Sequence, residues 1–189
     1  MHNLNLTLLY IINGVAGTYS SVDTAVLFLT NNLAYIVCIG VAIYMVIWHP
    51  LKVQDLQDRL RAFRQSILFV FSVLTTVVVV QAIKVIIALP RPFQVLASIN
   101  ALAPYESGYS FPSAHAAITV AIATATFFYH RRLGIILYIF ALIVALSRIY
   151  VGVHYPIDVV AGAVLGWGIA YILHRVTTHV EVADQSKTS

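Results

Sequence analysis

The segment SRIYVGVHYPID, residues 147–158, sets Ser147, Arg148, His154 and Asp158 between two apolar runs. Pro156 suits the first position of a helix, which makes Tyr155 the cap and puts Asp158 in the first turn, where a carboxylate is favoured. From there Asp158 can turn back toward His154. A carboxylate on one imidazole nitrogen fixes the tautomer and leaves the other nitrogen as a lone-pair nucleophile. Gly152 lets the intervening turn approach a ligand closely.

Two further segments carry matching chemistry. KVIIALPRPF holds Lys84 and Arg91. Pro90 stops the preceding helix near Leu89, so Lys84 lies below its end and can reach upward. Arg91 offers a planar fork of donors and Lys84 a point charge, both suited to phosphate oxygens. In SFPSAHAAI, Ser113 is placed to cap a helix that begins in the Ala-rich run, with His115 in its first turn. The start of a helix presents free N–H groups and the positive end of the dipole. Three cations, a hydroxyl, a helix N-terminus, two imidazoles and a carboxylate are the parts of phosphoryl transfer, which depends on positioning and on stabilising charge on the equatorial oxygens. No acidic cluster suits Mg²⁺, since Asp158 is committed to His154, and neither metal nor cofactor is expected.

The elements that must position these residues are apolar. Of 189 residues 60% are hydrophobic and 10% charged, with mean hydropathy +0.89; a soluble domain carries roughly 25% charged residues. Five runs, roughly 25–47, 67–89, 112–129, 133–150 and 156–174, are read as spans of an all-α membrane bundle. The segment 4–17 is too short to span and is read as an interfacial helix, a sixth span being the alternative. A single domain over 1–178 and a short tail at 179–189, irregular over its last ten or so residues, complete the chain. The net charge of +4 is too small and scattered for nucleic-acid binding, and the lone Cys38 excludes an intramolecular disulfide.

Lys52, Arg59, Arg61, Arg64, Arg131, Arg132, Arg175 and Lys187 fall on one side if all five runs span. The positive-inside rule makes that side cytoplasmic. Lys84, Arg91, His115, Arg148, His154 and Asp158 then gather at the outer end. Charge at membrane depth marks a functional site by default; snorkelling at helix ends accounts for one such residue, not for six from three segments. The 90–111 loop, with Tyr105, Glu106, Gly108 and Tyr109, is either a headgroup-binding loop or a plain surface connection.

These motifs resemble those of the type 2 phosphatidic acid phosphatase superfamily: Lys-x6-Arg-Pro at Lys84 to Pro92, Pro-Ser-Gly-His at Pro112 to His115, and Ser-Arg-x5-His-x3-Asp at Ser147 to Asp158. The spacings fit over about residues 25–175. Ala114 stands where that family usually has glycine, keeping the N–H but adding a methyl. The resemblance implies His154 as the nucleophile, Asp158 as its orienter and His115 as general acid and then base. It implies Lys84, Arg91, Ser113, Ala114 and Arg148 as the phosphate-binding set. It also implies metal-independent action on a phosphorylated membrane lipid at the outer face of a bacterial cytoplasmic membrane. Size, RPF and SFPSAHA are similar to the undecaprenyl-diphosphate phosphatases of that superfamily, many of which carry Asp at the position of Ala114. Phosphatidylglycerophosphate or broad lipid phosphatase activity is the alternative, and an anion or lipid transporter is the reading from another class.

Overall fold

A computed structural model describes residues 2–104 and 106–188, with side chains from Leu4 to Thr177 apart from Tyr105. Among the described residues six helices form one bundle: α1 (His2–Asn13), α2 (Ser20–Leu51), α3 (Leu56–Ile87), α4 (Ala114–Phe127), α5 (Arg131–Tyr150) and α6 (Pro156–Thr188). One short turn, Pro92–Val95, interrupts the loop between α3 and α4.

Local sequence explains where the elements start and stop. Asp55 caps α3, its side chain accepting from the Asp58 N–H at 3.1 Å. The helix ends one turn past Lys84, where Ala88 takes the left-handed conformation at φ 50° just before Leu89-Pro90. α6 begins at Pro156 with Tyr155 before it, as the sequence suggests. The helix runs on to Thr188, so the backbone of the tail expected to be irregular is helical; side chains from residue 178 on lie outside the described residues.

Among the described residues four segments are long and apolar enough to cross a membrane: Ser20–Leu51, Leu56–Val95 (α3 with the short turn after it), Arg131–Tyr150 and Pro156–Thr177. The fifth expected span, 112–129, is different. Its helix is α4, 14 residues long, or about 21 Å at 1.5 Å per residue, against a hydrocarbon core of about 30 Å. It is the inner helix of the bundle, packed against α3, α5 and α6. Ala116, Ala117, Ala121 and Ala123 are fully buried there. The small residues that read as helix propensity also let three neighbours close around it. The other helices turn large apolar side chains outward, among them Ile36 and Ile39 of α2, Val85 and Ile86 of α3, Ile136 and Leu142 of α5, and Val160 and Val164 of α6.

α1 has 12 residues, too few to span, and packs against α5 and α6. Helix direction alternates from α3 through α6, so the 88–113 loop and the 151–155 turn share one end. The basic residues of 52–64, 131–132 and 175 share the other, where Arg64 donates to the Thr177 carbonyl at 3.0 Å. Apolar clusters fill both halves: Met45, Phe69, Ile122 and Leu137 toward the basic end, and Leu9, Ile99, Ala116, Ile149 and Val159 toward the loop end.

Candidate active site

The loop end brings the three motif segments together. Arg148, Asp158 and Ser113 are fully buried, with His154 2%, Arg91 5% and Lys84 8% exposed. Charges of this kind are held inside a protein only by specific partners, and Lys84, Arg91, Arg148 and Asp158 have them.

Asp158 lies in the first turn of α6. Its Oδ2 accepts from the Ser110 hydroxyl and, at 2.9 Å, from the Tyr155 N–H, and it stands 3.4 Å from His154 Nδ1. That last contact is a close approach without hydrogen-bond alignment; contacts of this kind often tighten when substrate binds. With Nδ1 toward the carboxylate, Nε2 is the imidazole's second nitrogen. The Asp158 carbonyl accepts from the Ser113 N–H at 2.9 Å, which ties the start of α4 to the start of α6.

His154 sits in the 151–155 turn, and its pKa is held well below its ordinary 6.5, first by burial and then by the charge of Arg148. The imidazole is therefore neutral at neutral pH. His115, in the first turn of α4, packs edge-on against Tyr35 at 5.5 Å between ring centroids. The charges of Arg148 and Glu106 both reach it.

The cations are held by the loop. Lys84 donates to the carbonyls of Tyr109 at 2.5 Å and Ser110 at 3.2 Å. Arg91 donates to the carbonyls of Gly108 at 3.2 Å, Val153 at 3.2 Å and Ser107 at 2.9 Å. Glu106 bridges the two arginines, bonded to Arg148 through Oε1 and 3.3 Å from Arg91 through Oε2. Burial raises the Glu106 pKa, and the charge and hydrogen bond of Arg148 together with Arg91 outweigh it, so its carboxyl titrates below the ordinary 4.5.

Several buried polar atoms here have no hydrogen-bond partner among the described residues: Ser113 Oγ, His115 Nε2, Arg148 Nε and Asp158 Oδ1. Ser113 occupies the cap position, but its hydroxyl makes no capping bond, so it is available to a ligand. Ala114, at the first helical position, begins α4 beside it. A compact anion would satisfy the donors of this set. No group of three or more His, Cys, Asp or Glu that could hold a metal ion occurs among the described residues.

Residues 65–180, more than half of the chain, match the PAP2 superfamily. The chain belongs to that superfamily. As a PAP2 protein it is 30% identical over 166 residues to the bacitracin transport permease protein BcrC of Bacillus licheniformis, covering 86% of this chain and 75% of that one. It is 31% identical over 173 residues to the undecaprenyl-diphosphatase BcrC of Bacillus subtilis, covering 91% and 83%. Among solved structures it is similar to LpxE of Aquifex aeolicus, with a TM-score of 0.72 and 26% identity, covering 91% of this chain and 95% of that one.

Every motif residue of this PAP2 chain converges at the loop end except Ser147, whose hydroxyl turns back to the Val144 carbonyl at 2.6 Å. The sequence did not single out four contributors. Ser110 holds Asp158. Thr30 accepts from Arg148 at 2.7 Å, and it sits in a π-helical turn, Leu29–Leu33, that interrupts α2; such turns recur at functional sites. Gly162 and Gly166 let α6 approach α4: a Cβ on them would meet the Ser113 carbonyl at 2.4 Å and the Ala117 carbonyl at 2.0 Å. Their Gly-x3-Gly spacing in an apolar helix was the signal available for close helix packing. Of the loop residues, Glu106, Gly108 and Tyr109 reach the cations, while Tyr105 lies outside the described residues.

Proposed function

We propose that this PAP2 protein is a lipid phosphatase that removes the terminal phosphate of undecaprenyl diphosphate through a phosphohistidine, without metal, at the outer face of a bacterial cytoplasmic membrane. The observation that carries this is the His154–Asp158 pair set among Lys84, Arg91, Arg148 and the start of α4. Its domain is the single unit 1–178.

His154 Nε2 attacks phosphorus in line, forming an N–P bond as the bond from phosphorus to the leaving oxygen breaks. His115 gives that oxygen a proton. Water then attacks the phosphohistidine, His115 takes its proton, the N–P bond breaks and inorganic phosphate leaves. Lys84, Arg91, Arg148, Ser113 and the N–H groups at Ala114 stabilise the equatorial oxygens. Neutral His154 is the reactive form, and Asp158 stabilises the charge it gains.

The site lies at one end of the bundle and the basic residues at the other. The positive-inside rule then supports an outward site. The B. subtilis relative's name supports the diphosphate lipid. The B. licheniformis relative's name, a transport permease, favours transport of a lipid or anion by the same cations. Transport has no use for an imidazole oriented by a carboxylate opposite a second imidazole, and this supports hydrolysis.

The test is phosphate release by purified protein in detergent with EDTA, from undecaprenyl diphosphate, phosphatidylglycerophosphate and phosphatidic acid side by side. Release from the first in preference, lost in His154→Ala, is expected. Preference for another lipid would replace the substrate, and no release from any would favour transport.

A further inference from the structure

α1 carries no motif residue, yet it makes polar contacts at both ends of the turn that bears His154. Asn13 is buried and its amide is fully used. Nδ2 donates to the Tyr150 carbonyl at 2.7 Å and the Asn100 carbonyl at 2.9 Å, and Oδ1 accepts from the Asn100 N–H at 2.9 Å. Gly152, at φ 79°, lies directly on this amide: a Cβ there would come within 3.2 Å of Asn13 Nδ2 and 2.7 Å of Ile99 Cγ2. Positive φ and close approach together demand glycine.

The other end of the turn is held by Asn5, whose Oδ1 accepts from the Ile157 N–H at 3.0 Å. That N–H is one of the donors a helix start leaves unpaired, and the next residue is Asp158. The two asparagines are eight positions apart on α1, about 12 Å along its axis. They bracket residues 150–157. On the other face Leu4, Leu8 and Ile11 are exposed. Apolar contacts alone would attach such a helix. The Asn13 amide, buried with both donors and its acceptor committed, fixes a geometry as well.

We propose that Asn13 and Asn5 are positioning residues: from α1 they hold the 150–157 turn so that the His154 imidazole stays aligned for attack. This rests on the phosphohistidine reading above. Lys84 and Ser113 come from other segments, and Arg91, which donates to the Val153 carbonyl of the turn, is also held by the Ser107 and Gly108 carbonyls, so loosening the turn impairs the chemical step more than phosphate binding.

The experiment uses full-length protein in detergent with undecaprenyl diphosphate. It measures kcat and KM together with amide hydrogen exchange over 150–157. Asn13→Ala lowers kcat at least about tenfold with KM within about twofold, as expected of a small misplacement of a reacting group. Its 150–157 amides exchange faster, while those of the α4 interior do not. Asn13→Asp keeps the acceptor, loses both donors and shows the same loss. Asn5→Ala lowers kcat about threefold, and Asn5→Asp restores it, because a carboxylate still accepts from Ile157 at the positive end of α6. A kcat within twofold of wild type in Asn13→Ala, a change confined to KM, or a loss in Asn5→Ala that Asn5→Asp does not recover would overturn the assignment. If Asn13→Ala does not fold, the Asn5 pair decides. If wild type releases no phosphate, the phosphatase reading fails, and the exchange data still decide whether α1 holds the turn.

Discussion

The Glu106 carboxylate lies against the buried guanidinium of Arg148 and extends its other oxygen to within 3.3 Å of Arg91. Two planar forks of donors thus share one carboxylate, an arrangement equally suited to phosphate. Glu106 and a substrate phosphate compete for the same donors. Glu106→Gln is expected to bind inorganic phosphate more tightly, lowering its inhibition constant several-fold. It is also expected to melt at a lower temperature without phosphate, because the arginines lose their counter-charge, and to regain stability when phosphate is added. Weaker inhibition by phosphate would mean that Glu106 instead shapes the arginines for the substrate.

His154 gives the enzyme a defined acid sensitivity. Folded, it titrates well below 6.5 because of burial first and then Arg148, Arg91 and Lys84. Unfolded, it takes up a proton as the pH falls through that value. The unfolded state then binds more protons, so stability is lost as pH falls below 6.5. Melting temperature should drop more between about pH 7.5 and about pH 5.5 in wild type than in His154→Gln. Equal drops would remove His154 as the source. The acid limb of kcat/KM should likewise lie below 6.5.

Asp158 is held by more than its imidazole. Ser110→Ala removes one donor and leaves the Tyr155 N–H at 2.9 Å, so kcat should fall about three- to tenfold with KM unchanged. Asp158→Asn presents the wrong partner to Nδ1 and should cost on the order of 10³ to 10⁴ in kcat. A serine variant as inactive as the aspartate variant would contradict this division.

The contact between α4 and α6 is set by glycine. A methyl at Gly166 would stand 2.0 Å from the Ala117 carbonyl, whereas one at Gly168 meets nothing within 4 Å. Gly166→Ala should destabilise by about 1–3 kcal/mol or more and reduce phosphate release, because Ser113 and Asp158 are joined across this contact. Gly168→Ala should be neutral or slightly stabilising. Thermal melting in detergent separates the two, and equal melting temperatures would show that α4 and α6 part without strain.

Much of the site was legible because its parts are local. The proline before Arg91, the cap position at Ser113 and the proline opening α6 each declare a helix boundary in a few residues, and each boundary carries a charged or polar side chain. The spans were legible from hydropathy, apart from α4, whose alanines are apolar enough for a lipid-facing helix but serve an enclosed one. What sequence did not disclose is long-range. Thr30 meets Arg148 across 118 positions, Asn13 meets Tyr150 across 137, and Ser110 meets Asp158 across 48. Such pairs arise from how the helices assemble, and no spacing within one segment encodes them. Glu106 was placed in the right loop, but its bridging of two arginines depends on the 88–113 loop meeting the end of α5.

The account turns on a covalent bond between His154 and phosphorus. The direct measurement is rapid acid-free quenching of the protein with undecaprenyl diphosphate, radiolabelled in its terminal phosphate, in the presence of EDTA. Labelled protein would then be digested to locate the phosphate. The account predicts an acid-labile, base-stable label on the peptide containing His154, absent in His154→Ala and accumulating in His115→Ala when the leaving group needs no proton. Turnover in EDTA with no label on that peptide, even in the His115 variant, would contradict it.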